Sequence, residues 1–185
     1  CGGYNANVLR TTLAFLKEHE GRPHELQVVG KKGNSYLRFL GRTVDQPVMD
    51  IDDRPRFEQV EPLAVEHMRR YADGELGGVY VTYMRFITAS RQVSEVLRLL
   101  PLSKVEPAAA GPAEPAKEGR LEALYDFSPA PAELLKVLLP QTVKTRLFQC
   151  FTDAAVSEQV ARMVAMKAAT DAAGDMIKLL SRQFN

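Results

Sequence analysis

The sequence predicts an α/β protein: a mostly parallel sheet with flanking helices, followed by one long C-terminal helix. Three observations carry this expectation. Up to residue 100, segments with apolar residues at helical spacing alternate with short β-branched runs, which is the order of strands joined by crossover helices. From Gln141 onward no proline occurs, and apolar residues step by three and four over about three heptads. The chain has 185 residues, 45% hydrophobic and 25% charged, ordinary globular values for a domain that can bury a sizeable core.

Each element follows in order. Gly2 and Gly3 punctuate the start, and Asn5 or Asn7 is expected to cap a helix carrying Val8, Leu9, Leu13, Phe15 and Leu16. Gly21 and Pro23 end it. Glu25 to Gly30 reads as a buried strand. Asn34 or Ser35 is expected to cap a short helix through Tyr36, Leu37, Phe39 and Leu40. Residues 41–60 are polar and broken by Pro47 and Pro55, with a strand expected between Val44 and Ile51. Pro62 suits a first helical position, and Leu63, Val65, Met68 and Tyr71 continue that helix to Gly74. After a Gly77-Gly78 turn, Val79 to Ala89 is the clearest strand, and Ser90 to Leu100 extends or returns it.

Residues 105–119 combine proline and alanine with almost no bulky apolar side chain. Such a stretch cannot offset its ordering entropy, so a mobile surface loop is expected there. Leu121 to Phe127 reads as a short strand, and Ser128, Pro129 and Pro131 open the final helical region. Pro140 is expected to break or kink that region. The expected division of the chain is therefore an α/β part at 1–139 and a coiled-coil helix at 140–185. Met163, Met166, Thr170, Ala173, Ile177, Leu180 and Phe184 form the heptad seam, and Val160, Val164, Ala168 and Ala172 form a second face. Small residues make the wall of this helix thin, so another helix can approach closely. The helix shows no stop signal at Asn185, and the chain starts at Cys1. Both ends are read as truncations, and the long helix reads either as one helix packed on its own sheet or as half of a coiled coil whose partner helix lies upstream.

Composition and motifs exclude several function classes. A net charge of +1 gives no bulk drive toward nucleic acid or anionic lipid. No run of about 18 apolar residues exists to span a bilayer. Two cysteines, Cys1 and Cys150, make no disulfide framework. Gly30-Lys31-Lys32-Gly33-Asn34-Ser35 resembles a phosphate loop after a strand, but its glycines lack the four-residue spacing and the closing Gly-Lys-Ser/Thr. It reads as a strand-to-helix turn. His19, His24 and His67 have no convergent metal-ligand partners at tight spacing. The acidic cluster Asp50, Asp52, Asp53 lacks the regular oxygen spacing of a calcium loop. Cys150 sits beside Phe148 and Phe151 in a helical stretch without a following histidine, so it reads as a small buried hydrophobe rather than a nucleophile. No GxSxG elbow is present. No catalytic, cofactor-binding or metal residue is assigned.

Ser157 to Ala173 reads SEQVARMVAMKAATDAA. This stretch resembles the signature of the gamma subunit of F-type ATP synthases, S-E-x-x-A-R-M-x-A-M-x-x-A-x-x-N-A. Ser157, Glu158, Ala161, Arg162, Met163, Ala165, Met166, Ala169 and Ala173 match in register, and Ala172 stands where the family has Asn. Cys1-Gly2-Gly3-Tyr4-Asn5 resembles the second half of the family's R-G-L-C-G-G-x-N segment. Arg85-Phe86-Ile87 and Leu99-Leu100-Pro101-Leu102 resemble its middle strand and exit.

The resemblance implies a Rossmann-like foot and a C-terminal helix that is half of an antiparallel coiled coil, the central stalk of a rotary motor. It implies alpha and beta subunits around the shaft, an epsilon subunit and a membrane c-ring at the foot, and no nucleic acid, cofactor or direct membrane insertion. It places nucleotide chemistry on other subunits, so this chain would be a non-catalytic rotor part of a proton-translocating enzyme. The expected location is peripheral, on the cytoplasmic face of a bacterial inner membrane or on an organellar inner membrane. The implied contact residues are Glu158, Arg162, Met163, Met166, Thr170, Ala173, Ile177 and Leu180 on the shaft, and Lys31, Lys32, Tyr36 and Tyr125 on the foot. Glu158 and Arg162 lie one turn apart and can support the helix or face a surrounding subunit. Competing readings are a small α/β nucleotide-binding domain or enzyme and a generic helical adaptor.

Overall fold

The computed structural model describes residues 3–51, 53–102 and 131–184. Its elements are α1 (Tyr4–Glu18), β1 (Gln27–Val29), α2 (Lys31–Phe39), β2 (Gln46–Val48), α3 (Phe57–Ala72), β3 (Val79–Thr88), β4 (Arg91–Leu100) and α4 (Pro131–Phe184). The class is mixed α/β with a long C-terminal helix. The expected loop at 105–119, the expected strand Leu121–Phe127 and with it Tyr125 lie outside the described residues.

Parallel pairing is confined to β1 and β2, in the register Gln27 with Gln46 and Val29 with Val48. The long ladder is antiparallel: Val79 to Thr88 pairs with Arg91 to Leu100 across an Ala89-Ser90 turn. Strand β4 therefore returns along β3, as adjacent strands joined by two residues must. Alternation along the hairpin sets its two faces apart. Phe15 of α1 packs on Tyr80 at 5.0 Å, and Thr11 Oγ1 lies 2.7 Å from Ser94 Oγ, so α1 covers one face. Val79 and Val81 turn the other way, into a core built with α3 and α4. That core is Val60, Ala64, Leu99, Leu100, Val143 and Leu147, with Leu63, Met68, Phe148 and Phe151 packed around it.

Four boundaries differ from the sequence reading, each for a local reason. Helix α1 begins at Tyr4, with Asn7 N–H donating to the Gly3 carbonyl at 2.9 Å, so Asn5 and Asn7 are interior residues rather than caps. Helix α2 begins at Lys31 instead of near Asn34, because Gly30 makes the strand-to-helix turn itself at φ +93°, a conformation glycine tolerates. Helix α3 begins at Phe57, so Pro62 is internal. Gln59 fixes that start by accepting the Arg56 backbone N–H through its side chain at 3.0 Å. Helix α4 runs through Pro140 without a break. The hydrogen bond lost there would have gone to the carbonyl of Lys136, and residues 136–140 are exposed, so water can satisfy that carbonyl.

The parallel pair is tied to α3 by polar contacts. Arg70 Nη1 and Nη2 donate to both carboxylate oxygens of Glu25 at 2.9 and 2.7 Å, and Arg70 Nε donates to Glu75 at 2.9 Å. His67 Nε2 lies 2.9 Å from Gln27 Oε1, and Gln27 Nε2 donates to Gln46 Oε1 at 3.1 Å. His67 is thereby the link from α3 to both short strands. Burial holds its pKa below the usual imidazole value.

Candidate functional site

The site is the long helix α4, which is two different surfaces in one element. Its lower part buries Val143, Leu147, Cys150 and Ser157. Steps of four, three and seven keep these on one face of an α-helix. The face packs against α3 and β3. Phe148 meets Phe57 edge-on at 5.6 Å, and Lys144 Nζ pairs with Glu61 Oε1 at 2.7 Å. Ser157 is fully buried, and its Oγ donates to the Met84 carbonyl at 3.4 Å. The hydroxyl is small enough to let the helix come down on the strand backbone. The Tyr83 hydroxyl donates to Glu95 Oε1 at 2.6 Å beside the Cys150 thiol. Burial pushes that thiol up to about 12. A thiol that stays protonated at neutral pH is no nucleophile.

Where α4 leaves the foot, Tyr4 of α1 clasps it, its hydroxyl donating to the Ala154 carbonyl at 3.1 Å. Burial first, and then the nearby Glu158 carboxylate, raise the Tyr4 phenol to about 12. Immediately above, Arg162 Nη2 pairs with Glu158 Oε1 at 2.7 Å, and Nη1 donates to Gln159 Oε1 at 3.1 Å. These side chains remain 33% and 31% exposed, so the pair supports the helix locally and is worth about 0.3–0.5 kcal/mol.

From there the helix stands clear of the foot. Met163, Met166, Ile177 and Leu180 remain 59%, 67%, 65% and 44% exposed, and Thr170 and Ala173 are exposed as well. At about 100° per residue, this seam lies roughly 150° around the helix from the packed stripe. The foot therefore approaches α4 from one side and leaves the seam open on the other. Thr170 Oγ1 donates to the Met166 carbonyl at 3.0 Å, a local bond that satisfies its hydroxyl without a partner. The row Met163, Met166, Thr170, Ala173, Ile177 and Leu180 therefore lies exposed along one side of α4.

The foot residues of the sequence reading lie apart from this seam. Lys31, Lys32 and Tyr36 are exposed on α2, where Leu37 and Asn34 face inward. Tyr125 lies outside the described residues. Sequence reasoning missed Ser157 and Tyr4 as packing residues and the Tyr83–Glu95–Cys150 cluster. The spacing 143, 147, 150, 157 was a legible signal, hidden because its last member is a serine.

The geometry defines a mixed α/β foot packed on the lower half of a long helix whose upper half carries an exposed apolar seam. The chain belongs to the ATP synthase family, whose model matches residues 1–185. Within it, the chain is similar to gamma chains. It is 39% identical over 187 residues to the ATP synthase gamma chain of Rhodopirellula baltica, covering 100% of this chain and 62% of that one. It is 38% identical over 184 residues to the gamma chain of Moorella thermoacetica, covering 100% of this chain and 61% of that one. The chain thus spans less than two thirds of the length of these relatives. Among solved structures, the central stalk and c-ring of the Tetrahymena thermophila mitochondrial ATP synthase matches with a TM-score of 0.63 at 19% identity, over 92% of this chain and 70% of that one. The rotor of the Euglena gracilis mitochondrial ATP synthase matches with a TM-score of 0.57 at 19% identity, over 98% of this chain and 68% of that one. At that identity the likeness concerns the fold.

Proposed function

We propose that this chain is the foot and lower shaft of the central-stalk rotor of a proton-translocating ATP synthase. It couples rotation of a membrane c-ring to ATP synthesis and hydrolysis at sites on alpha and beta subunits. It forms no covalent intermediate and binds no nucleotide itself. One observation carries the reading: the upper half of α4 is a long, regular helix with an apolar seam and no covering element among the described residues. Torque transfer needs such a stiff element, and Ala, Met and Lys in this stretch favour the helix. Asymmetric contacts of a turning shaft bias surrounding subunits through a coupling free energy, which requires no bond making.

In this reading Glu158 and Arg162 meet the surrounding ring or brace the shaft. Met163, Met166, Thr170, Ala173, Ile177 and Leu180 take the second helix of an antiparallel coiled coil. Lys31, Lys32, Tyr36 and Tyr125 belong to the foot surface toward an epsilon subunit and the c-ring. No described helix is long and apolar enough to cross a membrane; in this reading the chain is a peripheral part of a membrane-bound complex. The cytoplasmic face of a bacterial inner membrane is the proposed location.

Isothermal titration of the chain with ATP and with ADP tests the reading. No saturable heat at micromolar nucleotide is expected. Micromolar binding would overturn the shaft assignment in favour of a small nucleotide-binding domain. Copurification of the parent protein with ATPase ring subunits is the positive counterpart.

A further inference from the structure

We propose that Tyr4 is a positioning residue for force transfer: its hydroxyl bond to the Ala154 carbonyl fixes the rotational setting of α4 where the helix leaves the foot. The consequence for torque rests on the rotor reading, while the setting itself is a property of this fold. Helix α1 lies on one face of the β3–β4 hairpin, held by Thr11 on Ser94 at 2.7 Å and by Phe15 on Tyr80 at 5.0 Å. Helix α4 packs on the other face, with Val79 and Val81 turned toward it. Tyr4, the first residue of α1, bridges these two layers with its 3.1 Å bond to Ala154. Among the described residues it is the side-chain hydrogen bond that joins α1 to α4.

The acceptor is backbone, so the bond holds the helix itself and not one rotamer of a side chain. A carbonyl has two lone pairs, and the α-helical ladder uses one of them for the N–H four residues on. Tyr4 takes the other. The second anchor is Ser157, fully buried, whose Oγ donates to the Met84 carbonyl of β3 at 3.4 Å. Three residues apart, the two anchors are separated by about 60° around the helix and about 4.5 Å along it. A roll of the helix about its axis therefore strains both. The apolar contacts lower down, at Val143 and Leu147, are non-directional, whereas a hydrogen bond weakens steeply once its angle is lost. The Tyr4 phenol, raised to about 12 chiefly by burial, stays protonated at neutral pH and remains a donor. A shaft turned by its foot carries its load through this collar, so the hydroxyl sets how far the foot turns before the shaft follows.

The test compares Tyr4→Phe, which keeps the ring and removes the hydroxyl, with Leu147→Val, which loosens the core without touching either anchor. Both are made in the full-length parent protein. Nitroxide labels at the exposed positions Glu58→Cys and Asp171→Cys, with Cys1→Ser, report foot-to-shaft distances by pulsed electron spin resonance. Tyr4→Phe should broaden the distance distribution, and Leu147→Val should lower the unfolding midpoint while leaving the distribution at wild-type width. In the complex assembled with ring subunits, angular fluctuation of the foot is then followed by a bead while the ring is stalled. Its variance should rise on the order of twofold in Tyr4→Phe, because one of two directional anchors is lost and variance scales inversely with stiffness. Unchanged label distances in Tyr4→Phe, equal broadening in Leu147→Val, or wild-type angular variance in a rotating Tyr4→Phe enzyme each overturns the proposal. A wild-type parent that neither assembles nor turns with ring subunits overturns the rotor reading and the role in force transfer with it, and the label distances still decide whether Tyr4 sets the helix.

Discussion

The lower and upper halves of α4 are continuous in backbone and opposite in energetics. Below Ser157, side chains at heptad-like spacing are buried against α3 and the hairpin. Above Glu158, side chains at the same kind of spacing lie in water. The lower half is held by the foot, and the upper half is held by its own backbone hydrogen bonds and helix propensity. Amphipathic periodicity therefore states that a helix has a partner. It does not state whether that partner is the same molecule.

Substitutions should separate the halves. Leu147→Ala removes a core side chain that is only 4% exposed and should cost about 2–5 kcal/mol in denaturant unfolding. A cost below 1 kcal/mol would mean that the lower half is not anchored as described. Alkaline titration should also act on the lower half. The Cys150 thiol is raised from 9.0 to about 12 in the fold, so the unfolded chain releases this proton first. The stability tied to it is fully present below about pH 9 and is lost as pH rises toward 12, at about 1.4 kcal/mol per pH unit. Tyr4, raised from 10.0 to about 12, adds to the loss from pH 10 upward. Urea midpoints across this range should show the decline, with its onset moved up to about pH 10 in Cys150→Ala.

Ser157→Leu forces a larger side chain against the Met84 backbone and should cost about 1–3 kcal/mol, visible as a lowered midpoint. Met166→Ala, in the upper half, should stay within about 0.5 kcal/mol when measured at low protein concentration. A larger change would reveal a contact that the upper half makes within its own chain. Smallest of all, Glu158→Gln should cost about 0.3–0.5 kcal/mol and lose most of that effect in high salt.

Much of this was legible beforehand. The α/β class, the strand from Val79 and the helical periodicity from Met163 to Phe184 all follow from short-range spacing, which the chain cannot hide. The less legible parts depend on contacts between distant residues. Pro62 signals a helix start in isolation, yet Gln59 and its bond to the Arg56 backbone set the start earlier. Pro140 signals a break, yet exposure around Lys136 lets the helix continue. The burial of Cys150 was legible, but the stripe beneath α4 was obscured because Ser157 is polar by type, while its small size is what lets helix and strand meet.

Local order along the chain is enough to form a helix with an apolar seam near the C-terminus, because a period near 3.5 residues needs no distant contact. Which side of that helix the foot occupies, and where its grip ends, is settled by packing. That depends on how α3 and the hairpin fill space against Val143, Leu147, Cys150 and Ser157, and close packing between elements is not encoded in the spacing of any one of them.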